Sequence, residues 1–370
     1  MTRASIGRKG GPRWPWAVAL AALLVAGCGG GSKSAGGGGG AVSVPASVQC
    51  DKPGTCEPPD ALVQAAKKEG QVVMYSALGS ATMNQFSDAM QKKYGVKIVF
   101  SEIKQADATQ RVRQEFEAKN FQADIVPLGD PDTFHQWLAD GMLATVSQGE
   151  IPNTKALNAD TFKENSYIMW GGPAYTLAWN KSKLPDGKPP QSYCDLTDPK
   201  WKGNFALTFQ PGSTTFVHYH LMQELCGNDV FTKFKQNGVK LYPATAVANP
   251  ALAAGEYAVL LSGIPYQLDP LIQKGAPIEY RLQEEGITIS TRWTAIIKGA
   301  PHPNAARLFV NFLLSQEGQE IAFGKNFGVS ILPKDLVPDA IIPPGKAVYA
   351  TVPEAGKWEP DIAQQLGQQQ

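Results

Sequence analysis

Hydroxyl side chains gather at two places in this chain. Ser76 and Ser80 stand at the end of an apolar run, QVVMYSA, while Ser213, Thr214 and Thr215 sit together at the front of PGSTTFVHYHLMQEL, a loop leading into a helical pattern. Hydroxyls and free backbone N–H groups at a helix start suit the oxygens of a carboxylate or phosphate. The same residues serve equally well as plain helix caps. Little else in the sequence could perform covalent chemistry. It contains no GxSxG elbow, HExxH helix or Walker loop, and its Ser, His and Asp residues have no recognisable nucleophile setting. His218 and His220 flank Tyr219, but on a helix positions i and i+2 point about 200° apart and cannot share an ion. His135, on an amphipathic helix, and His302, at a helix start, read as structural. The residues point to binding a small organic or phosphorylated anion, not to catalysis.

The cysteines carry the second kind of chemistry. Arg3, Arg8, Lys9 and Arg13 form a basic head without an acid, and WPWAVALAALLVAG then runs directly into Cys28. A basic head, a short apolar run and small residues are the grammar of a secretion signal; a membrane span needs roughly 20 apolar residues. Val25-Ala26-Gly27-Cys28 resembles the bacterial lipobox, in which the cysteine takes a diacylglycerol and becomes the new N-terminus. Residues 1–27 are therefore expected to be a lipoprotein signal, and 28–57 a lipidated cysteine with its Gly/Ser-rich tether, GGGSKSAGGGGG. The chain has five cysteines, an odd number for an oxidising compartment. With Cys28 lipidated, four remain. Cys50 and Cys56 close a small loop, and Cys194 and Cys226 pair by elimination. A zinc site is disfavoured, because the spacings are not CxxC and no nearby histidine completes a set.

Composition excludes several classes. The chain carries 34 basic and 33 acidic residues, and loss of the four basic residues of the signal leaves 30 against 33, a net charge of −3. No basic patch implies nucleic acid. About 310 residues follow Pro58, enough for two lobes with separate cores.

These residues need elements to hold them. Asp60 begins a helix through Lys68; QVVMYSA is a strand; Ala81–Tyr94 is a helix with Met83, Phe86 and Met90 at helical spacing; VKIVFSEI is a strand. Asp107 opens a polar helix, ADIVPLG is the third strand, and DPDTFHQWLADG a short helix. Strand and helix alternate, as in a parallel sheet covered on both faces, which binds ligands at its strands' carboxyl ends. Those loops are 76–82 and 128–132. Beyond Tyr167, PAYTLAWNKSKL and NFALTFQ read as strands, YAVLLSGIPYQLDPLI as a strand and a loop, and ITISTRWTAIIKG as one strand. A helix from Pro303 follows, and the tail after Pro333 reads as Pro-rich with a frayed, Gln-rich end.

AAKKEGQVVMYSAL, KKYGVKIVF, QADIVPLGDPDTFHQWLADGML, AYTLAWNKSKL, DLTDPKWKGNFAL, LAAGEYAVLL and KGAPHPNAARLFVNFLLSQEGQE, in that order, resemble the extracellular solute-binding proteins of ABC importers, in the iron(III)-type branch of family 1. The resemblance covers roughly Asp60 to Val337. It implies an α/β fold of the two-lobed type II periplasmic-binding-protein kind, each lobe a mixed sheet flanked by helices, with a ligand cleft between them. Lobe one would hold 58–170 and 288–320, and lobe two 171–287 and 321–370. It further implies a monomer without cofactor, anchored by its lipid outside the cytoplasmic membrane and delivering a small solute to a permease and its ATPase. A receptor for a membrane sensor would share the fold, and a lipoprotein hydrolase is the remaining alternative.

Iron-binding members hold ferric ion with a lobe-one histidine, a carboxylate and two adjacent tyrosines. Here YSALGSATM has no histidine, Asp130 stands at the carboxylate position, and SGIPYQL keeps only Tyr266 of the tyrosine pair. An organic or phosphorylated anion is the expected ligand, with ferric iron on Asp130 and Tyr266 the alternative. Tyr175 and Trp293 fall near the implied lobe crossings and could line the cleft, or pack in the core.

Overall fold

The computed structural model describes residues 52, 54–76, 80–325 and 328–368. Cys28, Cys50 and the expected signal and glycine tether lie outside them. In chain order the elements begin α1 (Asp60–Glu69), β1 (Gln71–Ser76), α2 (Ser80–Tyr94), β2 (Lys97–Glu102), α3 (Gln105–Glu117), β3 (Ile125–Leu128), α4 (Pro131–Ala139), β4 (Phe162–Lys163) and β5 (Tyr167–Gly172). Then come β6 (Thr176–Asn180), β7 (Phe205–Thr208), α5 (Thr215–Cys226), α6 (Val230–Gln236), β8 (Lys240–Tyr242), α7 (Thr245–Ala254), β9 (Val259–Gly263), α8 (Pro265–Gln273) and β10 (Ile278–Arg281). The last are β11 (Ile287–Ser290), β12 (Arg292–Ile296), α9 (Pro303–Leu313), α10 (Gln316–Phe323), β13 (Val329–Ser330), β14 (Ala347–Ala350) and α11 (Val352–Leu366).

Two mixed sheets make two lobes. The first has strand order β13-β5-β12-β3-β1-β2, with β4 beside β5; the second runs β10-β6-β9-β7-β8. In the first, β1 pairs in parallel with β2 and β3, whereas β12 returns antiparallel, Trp293 opposite Leu128. The β-branched run of β1 is buried on both faces, as a covered parallel strand must be. One face meets α1, α2 and α9 through Leu62, Met83, Phe86, Leu308 and Phe309; the other meets α3 and α4 through Val112, Phe134 and Trp137. Every residue from Asn304 to Leu313 of α9 is buried, so its first turn cannot rely on water for its orphan N–H groups. Glu69 supplies the acceptors, taking the Asn304 N–H at 3.0 Å and the Ala305 N–H at 2.7 Å.

The lobes are joined by three crossings: β5 to β6, β11 to β12, and the segment from β13 to β14. The first two touch. A Cβ placed on Gly172 would lie 2.0 Å from the Ser290 carbonyl oxygen, so only glycine fits there. The third crossing pairs β14 in parallel with β11 and fixes Thr291, whose N–H and hydroxyl both donate to the Ala350 carbonyl, at 3.2 and 3.0 Å.

The structure corrects several expectations. ITISTRWTAIIKG is two strands, β11 and β12, broken at Thr291 where the chain changes lobes. The segment after β9 is α8, started by Pro265 at its first turn, and not a loop. The C-terminal tail is not frayed before Leu366: α11 is capped by the Thr351 side chain and buries Ala355, Ile362, Ala363 and Leu366. Residues 321–337, placed with lobe two from the sequence, lie in the first core through Phe323, Leu332, Leu336 and Val337. Cys194 and Cys226 are bonded, tying the turn at 193–197 to the end of α5. Cys56 is disulfide-bonded as well.

Candidate functional site

The start of α5 comes directly under the crossings. The Tyr175 hydroxyl lies 3.0 Å from Thr214 Oγ1 and 3.1 Å from Thr215 Oγ1, and Thr214 Oγ1 in turn donates to Ser290 Oγ at 3.0 Å. Ser213 Oγ accepts the Thr215 N–H at 3.1 Å, which is capping geometry. Thr214 makes no side-chain cap bond, so its hydroxyl is spent on Tyr175 and Ser290. Four of these hydroxyls thus come from three separate segments, joined across the β5–β6 and β11–β12 crossings.

Behind them lies an aromatic stack. Tyr175 is stacked on His218 at 5.1 Å, and Tyr193 meets His218 edge-on at 5.3 Å. His218 Nε2 is 3.0 Å from the Leu261 carbonyl, which makes that nitrogen the N–H donor, and Nδ1 lies 3.3 Å from the Thr288 hydroxyl. Complete burial lowers its pKa to about 4, so the ring is neutral. Burial also raises the Tyr175 hydroxyl above its ordinary value, partly offset by its two threonine partners and by the nearby charge of Arg292.

Arg292 was not singled out from the sequence. It is the first residue of β12, half-buried, at an irregularity in the β12–β5 pairing. Among the described residues no carboxylate forms an ion pair with it. A half-buried cation within electrostatic reach of the Tyr175 hydroxyl is a group that an anion would complement. The sequence signal was Arg292 itself, the one charged residue within ITISTRWTAII.

The remaining candidates divide. Tyr266 is half-buried in the first turn of α8, within electrostatic reach of Tyr175, and its hydroxyl accepts from Gln267 Nε2 at 3.1 Å. Ser76 closes β1 and is fully buried, and Ser80 is exposed at the start of α2; residues 77–79 between them lie outside the description. Asp130 is a cap: its Oδ1 accepts the Asp132 N–H at 3.0 Å and its Oδ2 the Thr133 hydroxyl at 2.6 Å. Trp293 does not line the cleft. It is 5 % exposed in the first lobe's core beside Tyr167, with Nε1 donating to Thr291 Oγ1 at 3.0 Å. Among the described residues, no three His, Cys, Asp or Glu side chains are placed to hold a metal ion. His220 is stacked on Trp358 at 3.4 Å, which fixes α11 against α5 and separates it from His218.

A cavity of about 720 Å³ opens between the lobes, lined by Gln105, Thr109, Gln110 and Arg113 of α3, Thr133 of α4, and Gly212 and Val352 from the other side. Two lobes, a cleft and a polar cluster where the chain crosses between them are what a hinged binding protein needs.

The profile of the bacterial extracellular solute-binding proteins matches residues 85–340. The chain belongs to that family. Among curated relatives, this solute-binding protein is 22 % identical over 280 residues to the Fe(3+)-binding periplasmic protein of Serratia marcescens, covering 70 % of this chain and 78 % of that one. Among solved structures it resembles an ABC-transporter substrate-binding protein from Agrobacterium tumefaciens, with a TM-score of 0.65 and 15 % identity over 80 % of this chain and 94 % of that one. It also resembles the periplasmic binding protein AfuA of Actinobacillus pleuropneumoniae, solved with fructose-6-phosphate, with a TM-score of 0.55 and 23 % identity over 80 % and 97 % of the two chains. The fold of this solute-binding protein is the two-lobed type II periplasmic-binding-protein fold.

Proposed function

We propose that this solute-binding protein captures a small organic or phosphorylated anion in its interlobe cleft and delivers it to the permease and ATPase of an ABC importer. It works as a monomer, held outside the cytoplasmic membrane by a lipid on Cys28 and the glycine tether that follows. Arg292 carries the reading: a half-buried arginine without a carboxylate partner among the described residues, within electrostatic reach of the Tyr175 hydroxyl, which itself is joined to Thr214, Thr215 and, through Thr214, Ser290. An anion touching Arg292 on one lobe's strand and the α5 start on the other binds the closed arrangement more tightly, which shifts the population toward it. Lobe one comprises about 58–172 and 291–337, and lobe two 175–287 with the tail from β14 onward. The sugar phosphate bound by AfuA and the ferric ion bound by the Serratia relative are both cargo for this fold. The capping role of Asp130 and the single Tyr266 favour the anion over the metal here.

Native mass spectrometry of protein purified from its own host tests this directly. The expected result is a retained anionic metabolite and an N-terminus at lipidated Cys28. A retained ferric ion with an intense visible tyrosinate band, lost in Tyr266→Phe, overturns the anion reading.

A further inference from the structure

The second crossing changes lobes at a single residue. Ser290 ends β11 and Arg292 begins β12, and Thr291 between them belongs to neither strand. Thr291 is 1 % exposed. Its two hydrogen-bonding neighbours belong to different lobes. Trp293 lies in the first lobe's core with Leu128 and Tyr167, whereas Ala350 lies in the second lobe's core with Ala355 and Ile362.

The Thr291 hydroxyl joins them. The Trp293 indole N–H donates to Thr291 Oγ1 at 3.0 Å, and that hydroxyl donates in turn to the Ala350 carbonyl at 3.0 Å. The Thr291 N–H reaches the same carbonyl at 3.2 Å. A hydroxyl has one proton to give and lone pairs to receive, so one short side chain accepts from lobe one and donates to lobe two. Valine has nearly the same shape and makes neither bond. Trp293 and Ala350 are both buried, and a buried polar group left without its partner pays its desolvation cost. The arrangement is therefore kept only at the interlobe angle that brings Ala350 to Thr291.

The main chain around the relay leaves the joint free to turn. A Cβ on Gly172 would run into the Ser290 carbonyl oxygen, and one on Gly328 into the Gly172 carbonyl oxygen. The three crossings thus meet backbone to backbone, without side chains to interlock them. A hinge concentrates its φ/ψ change at a few such residues, and here Thr291 supplies the stop. The same relay bears on Arg292. In an extended chain the side chains at 291 and 293 share one side and that of 292 faces the other. The pairing with β5 skips a residue there, Arg292 standing opposite Gly171 and Trp293 opposite Met169, an irregularity of the kind that re-aims a side chain. A bond tying 291 to 293 holds that aim.

We propose that Thr291 is the pin of the hinge: its hydroxyl, held by Trp293 in lobe one and by Ala350 in lobe two, fixes the angle between the lobes and with it the direction of Arg292. Because it is buried, Thr291 is a positioning residue and not a ligand contact. The pin consists of bonds within the chain, so it stands whether or not the cargo is an anion.

Pulsed electron paramagnetic resonance on the full-length protein tests it without added solute. Nitroxides attached through p-acetylphenylalanine at Gln91 on α2 and Gln236 on α6, both exposed and one on each lobe, leave the cysteines untouched. Wild type should give one dominant interlobe distance. In Thr291→Val a second distance should appear, populated above about 10 %, the upper end usual for a minor state. Thr291→Ser keeps the hydroxyl and should restore the single distance. Trp293→Phe removes the donor on the lobe-one side and should produce the same second distance, so the proposal stays testable if Thr291→Val does not fold. In guanidino-¹⁵N-labelled protein the Arg292 Nε–H resonance, assigned by its loss in Arg292→Gln, should move in Thr291→Val and return in Thr291→Ser. Distances in Thr291→Val and Trp293→Phe that match wild type overturn the pin. A second distance in Thr291→Ser overturns it too, by assigning the effect to the methyl group. An unmoved Arg292 resonance overturns the positioning role.

Discussion

The Tyr175 hydroxyl is 3.0 Å from Thr214 Oγ1, joining the β5–β6 crossing to the first turn of α5. Tyr175 is 6 % exposed, so its hydroxyl depends on these partners and not on water. Tyr175→Phe should therefore cost about 1–2 kcal/mol of stability, the value of buried hydrogen bonds whose partners remain behind. Denaturant unfolding measures it. Because Thr214 keeps Ser290 and Thr215 keeps Ser213, anion affinity should fall by less than the tenfold expected of a direct ligand.

The His218 ring beneath Tyr175 makes stability depend on pH. Its folded pKa is lowered by burial to about 4, from an ordinary 6.5. A depressed pKa means that the unfolded chain takes up the proton first. The stabilising contribution is thus complete above pH 6.5 and is lost as pH falls toward about 4, on the order of 3 kcal/mol in total. Urea unfolding of wild type and His218→Gln across that window should show a gap that narrows as the buffer is acidified. Parallel curves would contradict the neutral, buried ring.

The Cys194–Cys226 bond closes a 32-residue separation between the 193–197 turn and the far end of α5. In the chain-entropy picture such a loop is worth about 3–4 kcal/mol. Reduction, or Cys194→Ala with Cys226→Ala, should lower the melting temperature markedly. The bond lies at the opposite end of α5 from Ser213–Thr215, so affinity measured well below the transition should change less than threefold.

Sequence and structure agree most where local chemistry decides. The helix start at Ser213–Thr215 was readable because hydroxyls ahead of an apolar helix are a local pattern, and α9 was readable from the spacing of Ala305, Leu308, Phe309, Phe312 and Leu313. Arg292 was not readable. Its meaning depends on the chain changing lobes at Thr291, and a strand pattern does not show which sheet each half joins. Trp293, one residue on, was drawn toward the cleft by the same ambiguity, although alternation in β12 turns it into the first core. The α3 wall was missed because Gln105, Thr109 and Gln110 look like an ordinary solvent face until α4 and the 212 loop are placed opposite. The tail was misread because Pro353 and Pro360 conceal the helical spacing of Ala355, Ile362 and Leu366 in α11.

The central claim is that Arg292 receives the ligand's negative charge. Isothermal titration of wild type and Arg292→Gln with the anion recovered from the native host tests it most directly. A charge-assisted hydrogen bond in a partly buried site is worth about 1.5–3 kcal/mol, so Arg292→Gln should weaken binding roughly 10- to 100-fold with its melting temperature in the absence of anion little changed. An affinity unchanged by Arg292→Gln would contradict the account.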